Sequence, residues 1–239
     1  MTQYKTRVAT TCAALLLSVA LPANAGSLNK SIKIDAGATS SGASSVNGSV
    51  TAGEGAIVSG DLSTVNGRVS LANGVQAEDV ESVNGRVQVG DDCIVDSVST
   101  VNGRNQIGER VRVSGDVETV NGGVTVGRGT SVSGDVNAVN GKIELIGVSV
   151  EGDVVNTNGG MDLNEGTTIN GSVVVRKPKG WWTSKKKQQI PRVVIGPNGV
   201  ISGTLRLERE VELFVHETAS IGSVEGDNID MQRYSGSEP

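Results

Sequence analysis

VETVNGGVTVGRGTSVSGDVNAVNGK, residues 117–142, carries Val-Asn-Gly twice, nineteen residues apart. The tripeptide also stands at 46–48, 65–67, 83–85 and 101–103, and Thr157-Asn158-Gly159 closes the series. The chain therefore returns to Asn-Gly seven times: Asn47-Gly48, Asn66-Gly67, Asn84-Gly85, Asn102-Gly103, Asn121-Gly122, Asn140-Gly141 and Asn158-Gly159. The Asn residues are spaced by 19, 18, 18, 19, 19 and 18 positions. Self-similarity at so fixed a period is the mark of a solenoid.

Aligning on Asn shows what each repeat is built from. Four positions before it stand Ala43, Leu62, Val80, Val98, Val117, Val136 and Val154. Three after it come Val50, Val69, Val87, Asn105, Val124, Ile143 and Met161, and five after it Ala52, Leu71, Val89, Ile107, Val126, Leu145 and Leu163. The last two columns alternate with polar neighbours at period 2, as in a strand with one buried face. No apolar spacing of 3.6 persists, and Val, Thr, Asn and Gly are poor helix formers, which excludes a helical solenoid. The reading is an all-β chain folded as a single-stranded parallel β-helix of about 18–19 residues per coil. Right-handed coiling is expected from the handedness of parallel crossovers, with a left-handed helix of six-residue repeats as the alternative. Gly is expected at the corner because it adopts positive φ without steric cost. Stacked Asn amides are expected to hydrogen-bond from rung to rung as a structural ladder.

Composition agrees with a narrow core. The chain has 33 glycines and only five Phe, Trp and Tyr residues, whereas a broad globular core is filled by large rings and leucines. Residues 1–25 read as a secretory signal peptide: Lys5 and Arg7, an apolar run to Leu21, Pro22, then Ala23-Asn24-Ala25 before the expected cleavage at Gly26. Export to the periplasm or cell surface follows. Cys93 is then the single mature cysteine, so no internal disulfide is expected.

The organisation expected downstream is a Gly/Ser-rich segment or first coil over 26–44, regular β-helix over 45–175, a projecting loop over 176–192, further coils over 193–224, and a polar tail over 225–239. The repeat "SVSGDVNAVNGKIELIGVSVEGDV", with Gly-Asp-Val corners between apolar pairs, resembles the bactofilins, bacterial polymer-forming cytoskeletal proteins. The resemblance covers roughly 45–175 and implies a β-helix able to self-associate. The signal peptide and a Trp-Lys loop depart from that family's pattern.

Several columns carry charge. Asp61, Asp79, Asp116, Asp135 and Asp153 are expected to cap turns through their own backbone, with weak cation binding as the sharper alternative. Arg68, Arg86 and Arg104, with Lys142 two rungs on, read as a solvated edge with anionic neighbours, the sharper alternative being a stripe for an anionic polymer. The Ser/Thr column (Ser45, Thr64, Ser82, Thr100, Thr119) lacks the second Thr column of an ice-binding face. His216, the only His, is expected on an exposed strand and leaves a zinc cluster or catalytic triad without partners.

Irregularity concentrates at 176–192. Arg176, Lys177, Lys179, Lys185, Lys186, Lys187 and Arg192 give seven positive charges and no acid, around Trp181 and Trp182. The rest of the mature chain has 12 basic and 26 acidic residues. Trp favours a membrane interface and Lys an anionic surface. This segment is therefore either a binding element for an anionic membrane or cell-wall glycan, or a loop folded back on the β-helix. Nucleic acid is not an expected partner, and no cofactor, metal or catalytic residue is expected. The sequence reads as a non-enzymatic envelope scaffold, self-associating as a homo-oligomer or polymer end to end. The alternatives are a surface-binding module acting through the Trp-Lys loop and, behind it, a polysaccharide-acting enzyme.

Overall fold

The computed structural model describes residues 26–178, 190–226 and 229–236. The expected signal peptide lies outside these residues. Within them the chain is all-β and forms a solenoid of about 10 turns with about 19 residues per coil.

One coil shows how sequence becomes shape. Val98–Asn102 is its strand in a first sheet, Asn105–Ile107 in a second and Arg112–Val113 in a third, before Val117–Asn121 begins the next coil. Each of these strands pairs in parallel with its equivalents one coil below and above. Val98 faces Val117 and Asn102 faces Asn121; Ile107 faces Val126, and Val113 faces Val132. β-Branched residues suit this pleated, half-buried setting. The three sheets enclose one core, to which this coil contributes Val98, Thr100, Asn105, Ile107, Val111 and Val113, all buried. Each layer is thin, which is why valines fill it and large rings are not needed.

The three corners differ. Between the second and third sheets the chain turns through a left-handed residue, which is Gly at 37, 55, 74, 129 and 147, Asp92, Arg110 and Asn198 in other coils, and the pair Glu165-Gly166 in one. The single-residue variation in coil length falls at this corner and at the one after the third sheet. The nine-residue step from each first-sheet apolar residue to its second-sheet partner (Val98 to Ile107, Val117 to Val126) is constant in all seven Asn-Gly coils.

Of the two alternatives for residues 26–44 the first coil is the one formed, whereas the other end departs from expectation. Residues 26–44 form a coil, with strands Gly26–Ser27, Ile32–Ile34 and Thr39–Ser40. The expected polar tail is also folded in part: Ser220–Gly226 pairs with Val200–Leu207, and Met231–Tyr234 pairs with Glu212–His216. Ile229 and Met231 pack against the core, which polar neighbours in the sequence had concealed. In the upper coils the first and third sheets merge, because Val200–Leu207 pairs with Thr168–Ile169 at one end and Val173–Val175 at the other.

Candidate functional site

The Asn-Gly corner is a seam running up the solenoid. Each Asn Nδ2 donates to the Oδ1 one coil below: Asn66 to Asn47 at 2.9 Å, Asn84 to Asn66 at 2.9 Å, Asn102 to Asn84 at 2.8 Å, Asn121 to Asn102 at 2.8 Å. Asn140 and Asn158 continue the ladder at 2.8 Å each. Asn47 donates at 2.8 Å to Asn29, an eighth rung missed in the sequence because Lys30 replaces its Gly. All bonds point the same way along the axis.

The reason for Gly at this corner is not the one expected. Of Gly48, Gly67, Gly85, Gly103, Gly122, Gly141 and Gly159, only Gly141 has a positive φ, at 157°. What selects Gly is contact between coils. A Cβ on Gly85, Gly103 or Gly122 would stand 1.7 Å from the carbonyl oxygen of the corner glycine below, and on Gly141 or Gly159 1.8 Å. Gly67 and Gly48 are nearly as tight, at 2.1 and 2.4 Å. The sequence held a clue, because left-handed corners in this chain accept Asp and Arg while the seam keeps Gly seven times.

The Ser/Thr column lies inside the solenoid, behind the seam, and offers nothing to solvent. Thr64 Oγ1 donates to Gly48 O at 2.7 Å, Ser82 Oγ to Gly67 O at 3.0 Å, and Thr119 Oγ1 to Gly103 O at 3.1 Å. Asn156 takes the same role, donating to Gly141 O at 2.8 Å. Buried hydroxyls and amides thus find acceptors on the corner backbone, as buried polar groups must.

The Asp column is also structural, although its acceptors serve the next coil rather than their own turn. Asp116 Oδ1 accepts from the Asp135 N–H at 2.7 Å, Asp135 from Asp153 at 2.8 Å, and Asp153 from Ser172 at 2.7 Å. Asp79 lies half-buried, and burial followed by the Asp61 and Asp96 carboxylates raises its pKa. Beside this column, Glu118 accepts from Asn137 Nδ2 at 3.1 Å. Burial is the main cause that pushes its pKa up to about 7; Asp116 and Asp135 add to it, and the Asn137 hydrogen bond opposes it.

The basic column divides. Lys142 pairs with Asp162. Arg68, Arg86 and Arg104 are exposed, and among the described residues no carboxylate pairs with them, contrary to the expected anionic neighbours. Two other exposed arginines are paired: Arg110 grips Asp92 through Nε at 2.7 Å and Nη2 at 2.9 Å, which holds the Asp92 carboxyl below its usual range, and Arg128 contacts Glu165.

Of the basic Trp segment, Lys179, Trp181, Trp182, Lys185, Lys186 and Lys187 lie outside the described residues. Arg176 and Lys177 extend the first sheet past Val175, where the next Asn-Gly corner would stand. Arg176 N donates to Asn156 O at 2.8 Å, and Lys177 N to Glu208 Oε2 at 3.2 Å. Arg192 opens the returning strand, its guanidinium 4.9 Å above the Phe214 ring.

His216 is buried rather than exposed. Its Nδ1 lies 2.9 Å from Thr218 Oγ1, and its ring meets Tyr234 edge-on at 5.0 Å. The Tyr234 strand covers it. Cys93 is buried in the core column between Val75 and Val111; its thiol donates to Ala72 O at 3.1 Å, and burial pushes its pKa up. No protein-family model, no curated protein and no solved structure matches the chain.

Proposed function

We propose that this chain is an exported, non-enzymatic scaffold of the bacterial cell envelope whose solenoid ends stack on further copies. The observation that carries the reading is the state of the two ends. Among the described residues, Gly26–Ser27, Ile32–Ile34 and Thr39–Ser40 pair on one side only, as do Ser220–Gly226 and Met231–Tyr234. Each end thus offers a row of backbone donors and acceptors, which templates pairing with another chain. The end layers are apolar enough to be worth covering: Ile32 and Ala38 at one end, Ile221, Val224 and Met231 at the other, are only partly buried. No helix lies over either end among the described residues.

The side columns support a structural role. The Asn amides and most of the Asp carboxylates are engaged in holding one coil to the next, which leaves few groups positioned for chemistry. The expected signal peptide supports export, and the repeat-level likeness to bactofilins supports assembly. Sedimentation and electron microscopy of residues 26–239 over a wide concentration range provide the test. Stacking predicts rods that lengthen in steps of one solenoid as concentration rises; a strict monomer at the highest concentration refutes it.

A further inference from the structure

The geometry points to a binding edge for a linear acidic polysaccharide along the seam, with Arg68, Arg86 and Arg104 as its cationic contacts. These residues occupy one column on consecutive coils, roughly 4.8 Å apart along the axis. Like charges at that spacing repel one another, and the chain relieves such repulsion elsewhere: Arg110, Lys142 and Arg206 each reach a carboxylate on a neighbouring coil or strand, and Arg128 reaches Glu165 two coils on. The three seam arginines do not. Their column ends at Gly123, against which Arg104 lies: a Cβ there would stand 3.8 Å from Arg104 Nε and 3.0 Å from Lys142 O.

The neighbouring columns match the same ligand. Each ladder Asn uses one N–H to bond the rung below, and an amide nitrogen has two. Asn66, Asn84, Asn102 and Asn121 are exposed, so each has a second N–H beside the guanidinium column. On the other side, exposed Gln88 and Gln106 and half-buried Ser70 supply groups that both donate and accept. The edge is therefore a straight, rigid strip with guanidinium and amide donors for carboxylate or phosphate oxygens and amides for sugar hydroxyls. Guanidinium binding to such anions is charge-assisted and geometrically specific. A single-stranded nucleic acid fits less well, because base recognition needs aromatic platforms. The described Phe and Tyr rings, Phe214 and Tyr234, lie in the last coils.

The edge runs along the side of the solenoid, so it does not depend on end-to-end stacking. The test uses residues 26–239 and four probes at low ionic strength: polygalacturonate for carboxylates, a phosphorylated mannan for phosphates, neutral dextran and poly(dT). The expected result is binding to one or both acidic glycans, weakened by salt and absent for dextran. The variant R68Q/R86Q/R104Q, with unchanged circular dichroism, loses about tenfold or more in affinity. S49R, which adds a cation one rung below, tightens binding. K185Q/K186Q/K187Q leaves it unchanged, which separates this edge from the Trp-Lys segment. The inference is overturned if neither glycan binds, if the triple Arg variant binds like the parent, if the loss follows the Lys variant, or if poly(dT) binds more tightly than both glycans. Size measurement on the same samples keeps the two proposals apart, since a monomer that binds glycan refutes stacking and leaves the edge intact.

Discussion

Replacing Gly103 by Ala tests the central claim about the seam. The new Cβ would lie 1.7 Å from the Gly85 carbonyl oxygen, and it meets backbone, which cannot swing away. Restoring a contact of about 3 Å forces the two coils apart by more than about 1 Å, enough to break hydrogen bonds near 3 Å. The bonds at risk are Gly85 N to Asn102 O at 3.1 Å, Val87 N to Arg104 O at 3.1 Å, and the Asn102–Asn84 amide pair at 2.8 Å. At about 1 kcal/mol net for each, the loss is about 3 kcal/mol before any core gap is counted. Gly55→Ala is the matched control. Its φ is +66° with nothing within 4 Å of the added Cβ, so it bears only left-handed strain of about 1 kcal/mol. Guanidinium unfolding of residues 26–239 gives the ranking. Because a solenoid is coupled mainly through nearest neighbours, amide exchange at Gly85 and Val87 should accelerate first. If Gly103→Ala is no less stable than Gly55→Ala, close approach of the coils is not why the seam keeps Gly.

Two further outcomes follow from buried groups. Glu118 is held at about 7 in the folded chain against an ordinary 4.5, so the folded state binds its proton more tightly than the unfolded state. Stability is then greatest below the unfolded value and falls as pH rises through about 7. Glu118→Gln should flatten that fall, giving a gain on the order of 2 kcal/mol near pH 8 and almost none near pH 4; parallel melting profiles for the two proteins would refute the assignment. Cys93 should resist thiol reagents in the native state and react only as the chain unfolds, while Cys93→Val, matching Val75 and Val111 in its column, should change stability by less than about 1.5 kcal/mol; rapid native labelling would show the thiol is not buried.

The architecture was legible because each coil repeats the same bargain with solvent. Val98, Val117 and Val136 recur at one position, and Ile107, Val126 and Leu145 at another, so aligning on Asn exposes the buried faces directly. The polar interior was not legible. Thr64, Ser82 and Thr119 look like surface residues in one dimension, and only the corner carbonyls that accept their hydroxyl protons explain their burial. Gly103 was read correctly as a corner residue but for the wrong cause, since contact with the coil below is invisible to local backbone rules. His216 and the Met231–Tyr234 strand were misread for a related reason. The pairing that joins them and covers His216 links segments about eighteen residues apart, where the Asn-Gly signal has already ended. Of the candidate surfaces, the Arg column was visible at once; that it lacks carboxylate partners emerged only from the placement of Asp162, Glu165 and Asp92 beside other cations.

The constancy of the seam also governs how such a chain can change its length. Removing or duplicating a whole unit between two Asn-Gly pairs would leave every column continuous, and the rod would shorten or grow by one rung, roughly 4.8 Å. Gaining or losing one residue is tolerated at the other two corners, as the 18- and 19-residue units already show. Above Asn158 the ladder stops: Lys177 stands where the next Asn would, and sixteen residues separate Val175 from Arg192. The molecule is thus a ruler graduated in coils, on which the amide ladder marks the divisions from Asn29 to Asn158.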